Sequence, residues 1–230
     1  RQMCIRDRDN LTDTGVKESK IKVILNGVDG LTPVSTDEKR IIKERFNLPD
    51  GYKAVSIVAR LEDIKGHDYF IEAADRLLQK GIKARFYIAG TGSYENHLKE
   101  KVKNMNRQEQ IIFTGFISDV DKLMSITDVQ ANASFGTEAT SLALLEGMSL
   151  GIPAVVSDFG GNPGVIKNGQ NGYIVPKQNS KALADNLEVL LTDQKLYDYM
   201  SQGAKKIFQK TFTAQAMTKQ TEQVYLDLMK

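Results

Sequence analysis

Two glutamates separated by seven residues, Glu138 and Glu146, stand on either side of the polar pair Thr140-Ser141, ahead of an apolar run that passes through Gly151 into Ala154-Val155-Val156-Ser157. Serine and threonine are strong helix N-caps, so this pair starts a helix. One carboxylate then lies in the loop above the helix and the other about a turn and a half inside it. The first N–H groups of a helix lack partners and its dipole favours negative charge, so an anion rests well there. A carboxylate accepts hydrogen bonds from hydroxyls. Two acids beside an anion site therefore suit a sugar carried on a phosphate, and the residues point to a nucleotide-sugar.

A basic pair, Arg60 and Lys65 of Arg60-Leu61-Glu62-Asp63-Ile64-Lys65-Gly66, follows the first core strand. Open α/β sheets bind ligands just beyond the carboxyl ends of their strands, so these cations face the same crevice. Arginine can fork onto two phosphate oxygens, and lysine adds a point charge. Gly90-Thr91-Gly92 has Glu95 where a third glycine would complete the dinucleotide fingerprint, so that motif fails. As the first residue of a helix-opening Asp119-Val120-Asp121, Asp119 reads as an N-cap rather than a metal ligand. His67 and His97, on helices among polar neighbours, read as surface histidines.

The elements that must position these groups alternate along the chain. Strands are expected at Ala54–Ala59, Arg85–Ala89, Ile111–Thr114, Val129–Ala133, Ala154–Ser157 and Tyr173–Val175, with a further short strand at Lys20–Asp29 closing on an Asn-Gly turn. Helices are expected near Ser35–Phe46, Gly66–Leu78, Tyr94–Met105, Val120–Ile126, Ser180–Leu191, Lys195–Phe208 and Thr213–Met229. Continuously apolar strands alternating with helices mean a parallel sheet covered on both faces. The fold class is a doubly wound, Rossmann-like α/β domain. Residues 20–212 form it, 213–230 a terminal helix, and 1–19 a leader whose first eight residues do not read like a domain start.

Composition narrows the function classes. At 230 residues with 41% hydrophobic content, the chain can build a full core. Lys+Arg 31 against Asp+Glu 29 is too balanced for a nucleic-acid or polybasic membrane surface. The lone cysteine, Cys4, excludes an internal disulfide framework and suits a reducing cytoplasm. No apolar run approaches the ~20 residues of a membrane span, and the polar N-terminus lacks a secretory signal pattern.

The run from Glu138 through Glu146 to Ser157, followed by Gly160-Gly161, resembles the donor-binding signature of glycosyltransferase family 4, retaining enzymes of the bacterial GT-B type. The resemblance extends over roughly Ile21 to Lys230 and implies that this is the donor-binding half of the fold. By that resemblance Glu138 contacts the donor sugar near the reacting centre and Glu146 takes the ribose hydroxyls. Arg60 and Lys65 bind the diphosphate and stabilise it as leaving group, while Thr140, Ser141 and Leu142 offer it backbone N–H groups. The Gly90–Gly92 loop then either lets backbone approach the nucleotide or is simply a tight strand-to-helix turn. The implied donor is a UDP-sugar. The implied acceptor is a glycan or lipid-linked molecule held by a further domain that would precede Ile21, and the terminal helix would cross back to that domain. No cofactor, metal or nucleic-acid partner is implied. A cytoplasmic location, peripheral at the inner membrane face, goes with the family.

Two positions depart from the family pattern. Ala139-Thr140-Ser141 fills the place of a more usual Phe-Gly-Leu type sequence, leaving open which hydroxyl meets the sugar. Gly164 replaces the glutamate of Gly-Gly-x-Pro-Glu. Two alternatives accompany this reading: a nucleotide-sugar epimerase of the same architecture, and a non-catalytic partner subunit of a transferase.

Overall fold

The structure is a computed structural model and describes residues 11–229. Six parallel strands run β1 (Lys53–Val58), β2 (Ala84–Ala89), β3 (Ile111–Gly115), β4 (Val129–Asn132), β5 (Ala154–Ser157) and β6 (Gly172–Val175). Their order across the sheet is β3-β2-β1-β4-β5-β6. The chain thus starts in the middle, winds outward on one side, then returns to wind outward on the other. That reversal opens a crevice between the carboxyl ends of β1 and β4, the place where doubly wound sheets hold ligands.

Helices α1 (Thr36–Arg45), α2 (His67–Gln79), α3 (Glu95–Asn104), α4 (Val120–Ile126), α5 (Leu142–Leu150), α6 (Asn162–Val165), α7 (Ser180–Thr192) and α8 (Gln194–Ile207) flank the sheet, and α9 (Ala214–Leu228) follows them. A π-helical turn, Phe208–Phe212, joins the last two. Strand side chains alternate between two packed layers. Val55, Ile57, Phe86, Ile88 and Val155 meet Phe70, Ile71 and Leu77 of α2, Leu98 of α3 and Leu183 and Leu187 of α7. On the other face Ala54, Tyr87 and Ala89 meet Ile42 of α1 and Leu123 and Ile126 of α4. Beside them Ala154 and Val156 meet Leu144, Leu145 and Met148 of α5, with Phe208 and Phe212. Both faces are dry, which is why the strands carry apolar residues at successive positions.

One expected strand is absent from the sheet. From Ile21 the chain runs extended, after a 3-10 turn at Glu18–Lys20. It pairs only where Val28 bridges Thr213 and its N–H reaches the Phe212 carbonyl at 2.9 Å. Leu25 and Val28 pack on the cluster of α5 and the π-helical turn, so burying them there replaces a place in the sheet. The leader reading over residues 1–8 lies outside the described residues. Helix α9 forms where expected, yet none of its residues is buried, and Tyr225 and Leu228 stand exposed. Among the described residues no helix is long and apolar enough to cross a membrane.

Candidate functional site

The helix that carries Glu146 is held close to the sheet by a buried polar contact. Gln130 of β4 donates from Nε2 to the Ala143 carbonyl at 2.8 Å. Gly147 makes room for it, since a Cβ there would sit 2.0 Å from Gln130 Oε1. Ser141 caps α5, its hydroxyl accepting from the Leu144 N–H at 3.4 Å, and Leu142 opens the helix exposed. Gly151 ends it in the left-handed conformation, φ 83°, as a glycine terminator should.

Glu146 is half-buried on the edge of an open cavity of about 300 Å³ beyond the carboxyl ends of β1 and β2. Arg60, Gly90, Thr91, Phe116 and Ile117 line the same space. Burial raises the Glu146 carboxyl above its ordinary value of 4.5, because a charged form is penalised where water is scarce. Phe116 lies 78% exposed at the mouth. Its aromatic ring was not singled out by sequence; the available signal was a lone Phe after a strand-ending glycine.

A second cluster forms around Glu138. Lys65 Nζ lies 3.1 Å from Glu138 Oε2, and their side chains are only 12% and 9% exposed. The same ammonium donates to the Thr137 carbonyl at 2.7 Å. Glu138 Oε2 also accepts from Ser134 Oγ at 2.9 Å and Asn132 Nδ2 at 3.3 Å. Behind them Ser157 Oγ donates to the Ser134 carbonyl at 2.6 Å, and Asn162 Nδ2 donates to Ser157 Oγ at 3.1 Å and Asn132 Oδ1 at 3.3 Å. These four partners, on or just past β4 and β5 and at the start of α6, escaped the sequence reading because small polar residues at strand ends carry no motif of their own.

The Gly160-Gly161 pair has a steric reason. A Cβ at Gly160 would sit 2.1 Å from the Glu138 carbonyl oxygen, and one at Gly161 1.6 Å from that of Ala139. The Gly161 N–H meets the Glu138 carbonyl at 2.9 Å. The two glycines thus let the loop after β5 clasp the loop that presents Glu138.

The structure brings Lys65 and Glu138 into contact and sets Arg60 and Glu146 around one cavity. Arg60 is 71% exposed and pairs with Glu62 at 2.8 Å, away from the Lys65–Glu138 cluster. A Cβ at Gly90 would meet the Ala59 carbonyl oxygen at 2.1 Å, and one at Gly92 the Leu61 carbonyl oxygen at 2.2 Å. Loop packing alone thus demands both glycines. Asp119 does precede α4, but no side-chain cap forms; its carboxylate pairs with Arg45 instead. Asp121 lies 3.6 Å from Lys122, and no group of three or more potential ligands to a metal occurs among the described residues.

The histidines divide. His97 is a surface residue 3.3 Å from Asp68. His67, expected at the surface, is 1% exposed, and neither ring nitrogen has a hydrogen-bond partner. It is the first residue of α2, after Gly66, whose left-handed φ of 72° turns the chain inward. The polar neighbours in sequence point elsewhere, and position on the helix decided the burial.

The sequence profile described as glycosyl transferases group 1 matches residues 38–207. The chain is 30% identical over 213 residues to the uncharacterized glycosyltransferase MJ1607 of Methanocaldococcus jannaschii, covering 90% of this chain and 54% of that protein. It is 27% identical over 236 residues to the UDP-Gal:alpha-D-GlcNAc-diphosphoundecaprenol alpha-1,3-galactosyltransferase of Escherichia coli, covering 100% of this chain and 60% of that one. It therefore spans little more than half the length of these relatives. Among solved structures, Anabaena Alr3699/HepE in complex with UDP and glucose superposes with a TM-score of 0.87 at 20% identity, over 100% of this chain and 62% of that one. The fold is that of one half of a GT-B enzyme. With its profile match spanning most of the Rossmann-like unit, the chain belongs to the glycosyl transferases group 1.

Proposed function

We propose that this chain is the donor-binding half of a retaining family 4 glycosyltransferase that uses a UDP-sugar. The observation that carries the reading is the placement of two acids in the segment that follows β4: Glu146 on the cavity beyond β1 and β2, and Glu138 locked beside Lys65. In this reading the base lies between the Gly90 loop and Phe116-Ile117, and Glu146 accepts from the ribose hydroxyls. The diphosphate lies toward the first turn of α5, meeting the N–H groups of Thr140, Ser141 and Leu142. Lys65, shared with Glu138, and Arg60, swung from Glu62, stabilise charge developing on the leaving diphosphate. Glu138 orients the sugar, and the acceptor attacks the face from which the diphosphate departs. Fixed cations and N–H groups supply the positive charge, so the reading assigns no role to a metal or cofactor.

The Escherichia coli relative takes UDP-Gal and the Anabaena neighbour holds UDP and glucose, which supports uridine diphosphate as the carrier. The acceptor, a glycan or lipid-linked molecule, belongs to a further domain, with the whole enzyme cytoplasmic and peripheral to the inner membrane face. The relatives are transferases, which favours neither the epimerase nor the partner-subunit reading.

Calorimetric titration of the chain with UDP, against GDP, ADP and CMP, tests the proposal. UDP is expected to bind preferentially, and Glu146→Ala to weaken it about 10- to 100-fold, the worth of hydrogen bonds to a charged group. Folded protein that binds no nucleotide, or an unaffected variant, would sink the donor-site reading.

The raised Glu146 carboxyl gives a second expectation. Ribose hydroxyls donate best to the ionised form, so binding favours loss of the proton. Affinity should therefore fall on acidification through a pKa above the ordinary 4.5. The acid limb should shrink in Glu146→Gln, leaving only what the nucleotide's own phosphate contributes. Identical limbs in the two proteins would exclude Glu146 as the ribose acceptor.

A further inference from the structure

A second cavity, of about 520 Å³, lies away from the donor site and is lined by Lys167, Tyr199, Gln202, Lys206, Lys210 and Thr211 among others. Lys167 belongs to the loop that leads into β6, so this cavity stands toward the amino end of that strand. The donor cavity lies beyond the carboxyl ends of β1 and β2. Gly203 brings α8 tight against the same loop, since a Cβ there would sit 2.0 Å from the Gln170 carbonyl oxygen.

The lining is positive throughout its charged members. No acid takes part in it. Some lysines of the chain, such as Lys65, Lys80 and Lys101, have a carboxylate within 4.0 Å and others do not. Lys167, Lys206 and Lys210 have none among the described residues, and all three are exposed. The near-balanced net charge of +2 describes the whole chain and does not reveal this local cluster. Like charges gathered in a concavity repel one another and focus a field that draws an anion.

The backbone contributes independently. The π-helical turn buries Phe208 and Phe212 and leaves Lys210 outside, in the same cavity as Lys206. π-turns are rare and recur at functional sites. Tyr199, 59% exposed, adds a hydroxyl donor at the rim.

We propose that this cavity binds a phosphate-bearing anion, independently of the donor site. Two sources share that chemistry: the headgroup of an anionic phospholipid and free phosphate or pyrophosphate. The test uses the full chain and Lys167→Gln/Lys206→Gln/Lys210→Gln, whose three positions are exposed and whose folding circular dichroism checks. One arm measures co-sedimentation with vesicles of phosphatidylglycerol and phosphatidylcholine against phosphatidylcholine alone. The other titrates inorganic phosphate and pyrophosphate by calorimetry. Binding to the anionic vesicles, weakened by about 100-fold in the triple variant (~1 kcal/mol per lysine near a charged surface), identifies a headgroup site. Binding of soluble phosphate alone, lost in the variant, identifies a free-anion site. Binding in neither arm, equal binding to neutral vesicles, or binding that the triple variant leaves unchanged would overturn the proposal.

Discussion

Replacing Lys65 with methionine is expected to lower the free energy of unfolding by about 3 kcal/mol, the lower end of what stranding a buried charge costs. Glu138 would keep its bonds from Ser134 and Asn132 but lose its only cationic partner among the described residues, with a side chain 9% exposed. The lower end applies because those two donors remain. Lys65→Met/Glu138→Leu is expected to recover most of the loss, because exchanging both members of a buried pair for apolar side chains is often neutral or stabilising. A residue of about 1 kcal/mol should persist, since the Ser134 hydroxyl and Asn132 amide are then left without their acceptor. Urea unfolding followed by circular dichroism measures all three proteins. A single variant within about 0.5 kcal/mol of the parent would mean that water screens the pair as it does at a surface. The network would then not hold Glu138 in place.

His67 should give the stability curve an acid limb of its own. Burial lowers its pKa from 6.5 to about 4, with Lys65 adding to the effect and Asp68 opposing it. The backbone at Glu62 also opposes it. The folded protein binds this proton more weakly than the unfolded chain, so the unfolded state takes up more protons between those two values. Stability from the neutral ring is therefore present above about pH 6.5 and lost as the pH falls toward 4, by about 3 kcal/mol in all. His67→Leu should remove that share of the acid loss. It should also raise stability near neutrality by about 1 kcal/mol, because two unpartnered buried nitrogens disappear. Unfolding at about pH 7 and about pH 5 decides the matter, the quantity of interest being the difference between parent and variant, in which the titrating groups common to both cancel. Equal pH dependence in the two proteins would show that the ring reaches water or a partner.

The physical reasons for the outcome differ between fold and site. Strands buried on both faces carry apolar residues on both sides of the pleat, as Val55, Ile57, Phe86 and Ile88 do on one face and Ala54, Tyr87 and Ala89 on the other. Local composition alone thus declares a covered parallel sheet. Ser141 and Gly151 likewise declare the two ends of α5 from side-chain chemistry and backbone freedom. The glutamate spacing across that helix start was legible for the same reason, being set by one local turn.

What the sequence could not decide was anything requiring distant residues to compete for space. Lys20–Asp29 has strand-like composition but finds its apolar contacts against α5 and the π-helical turn rather than in the sheet. Asp119 occupies a capping position but is claimed by Arg45, 74 residues away in sequence. His67 is surrounded in sequence by polar residues and in space by the core. Arg60 and Lys65 lie five positions apart, yet only Lys65 reaches Glu138, because Arg60 turns outward to Glu62. The sequence by itself thus determined the layered sheet, the capped helix beneath the site and the residue types around it. Only the tertiary structure decided which charges meet, because an ion pair or a buried ring depends on the packing of elements that no local pattern encodes.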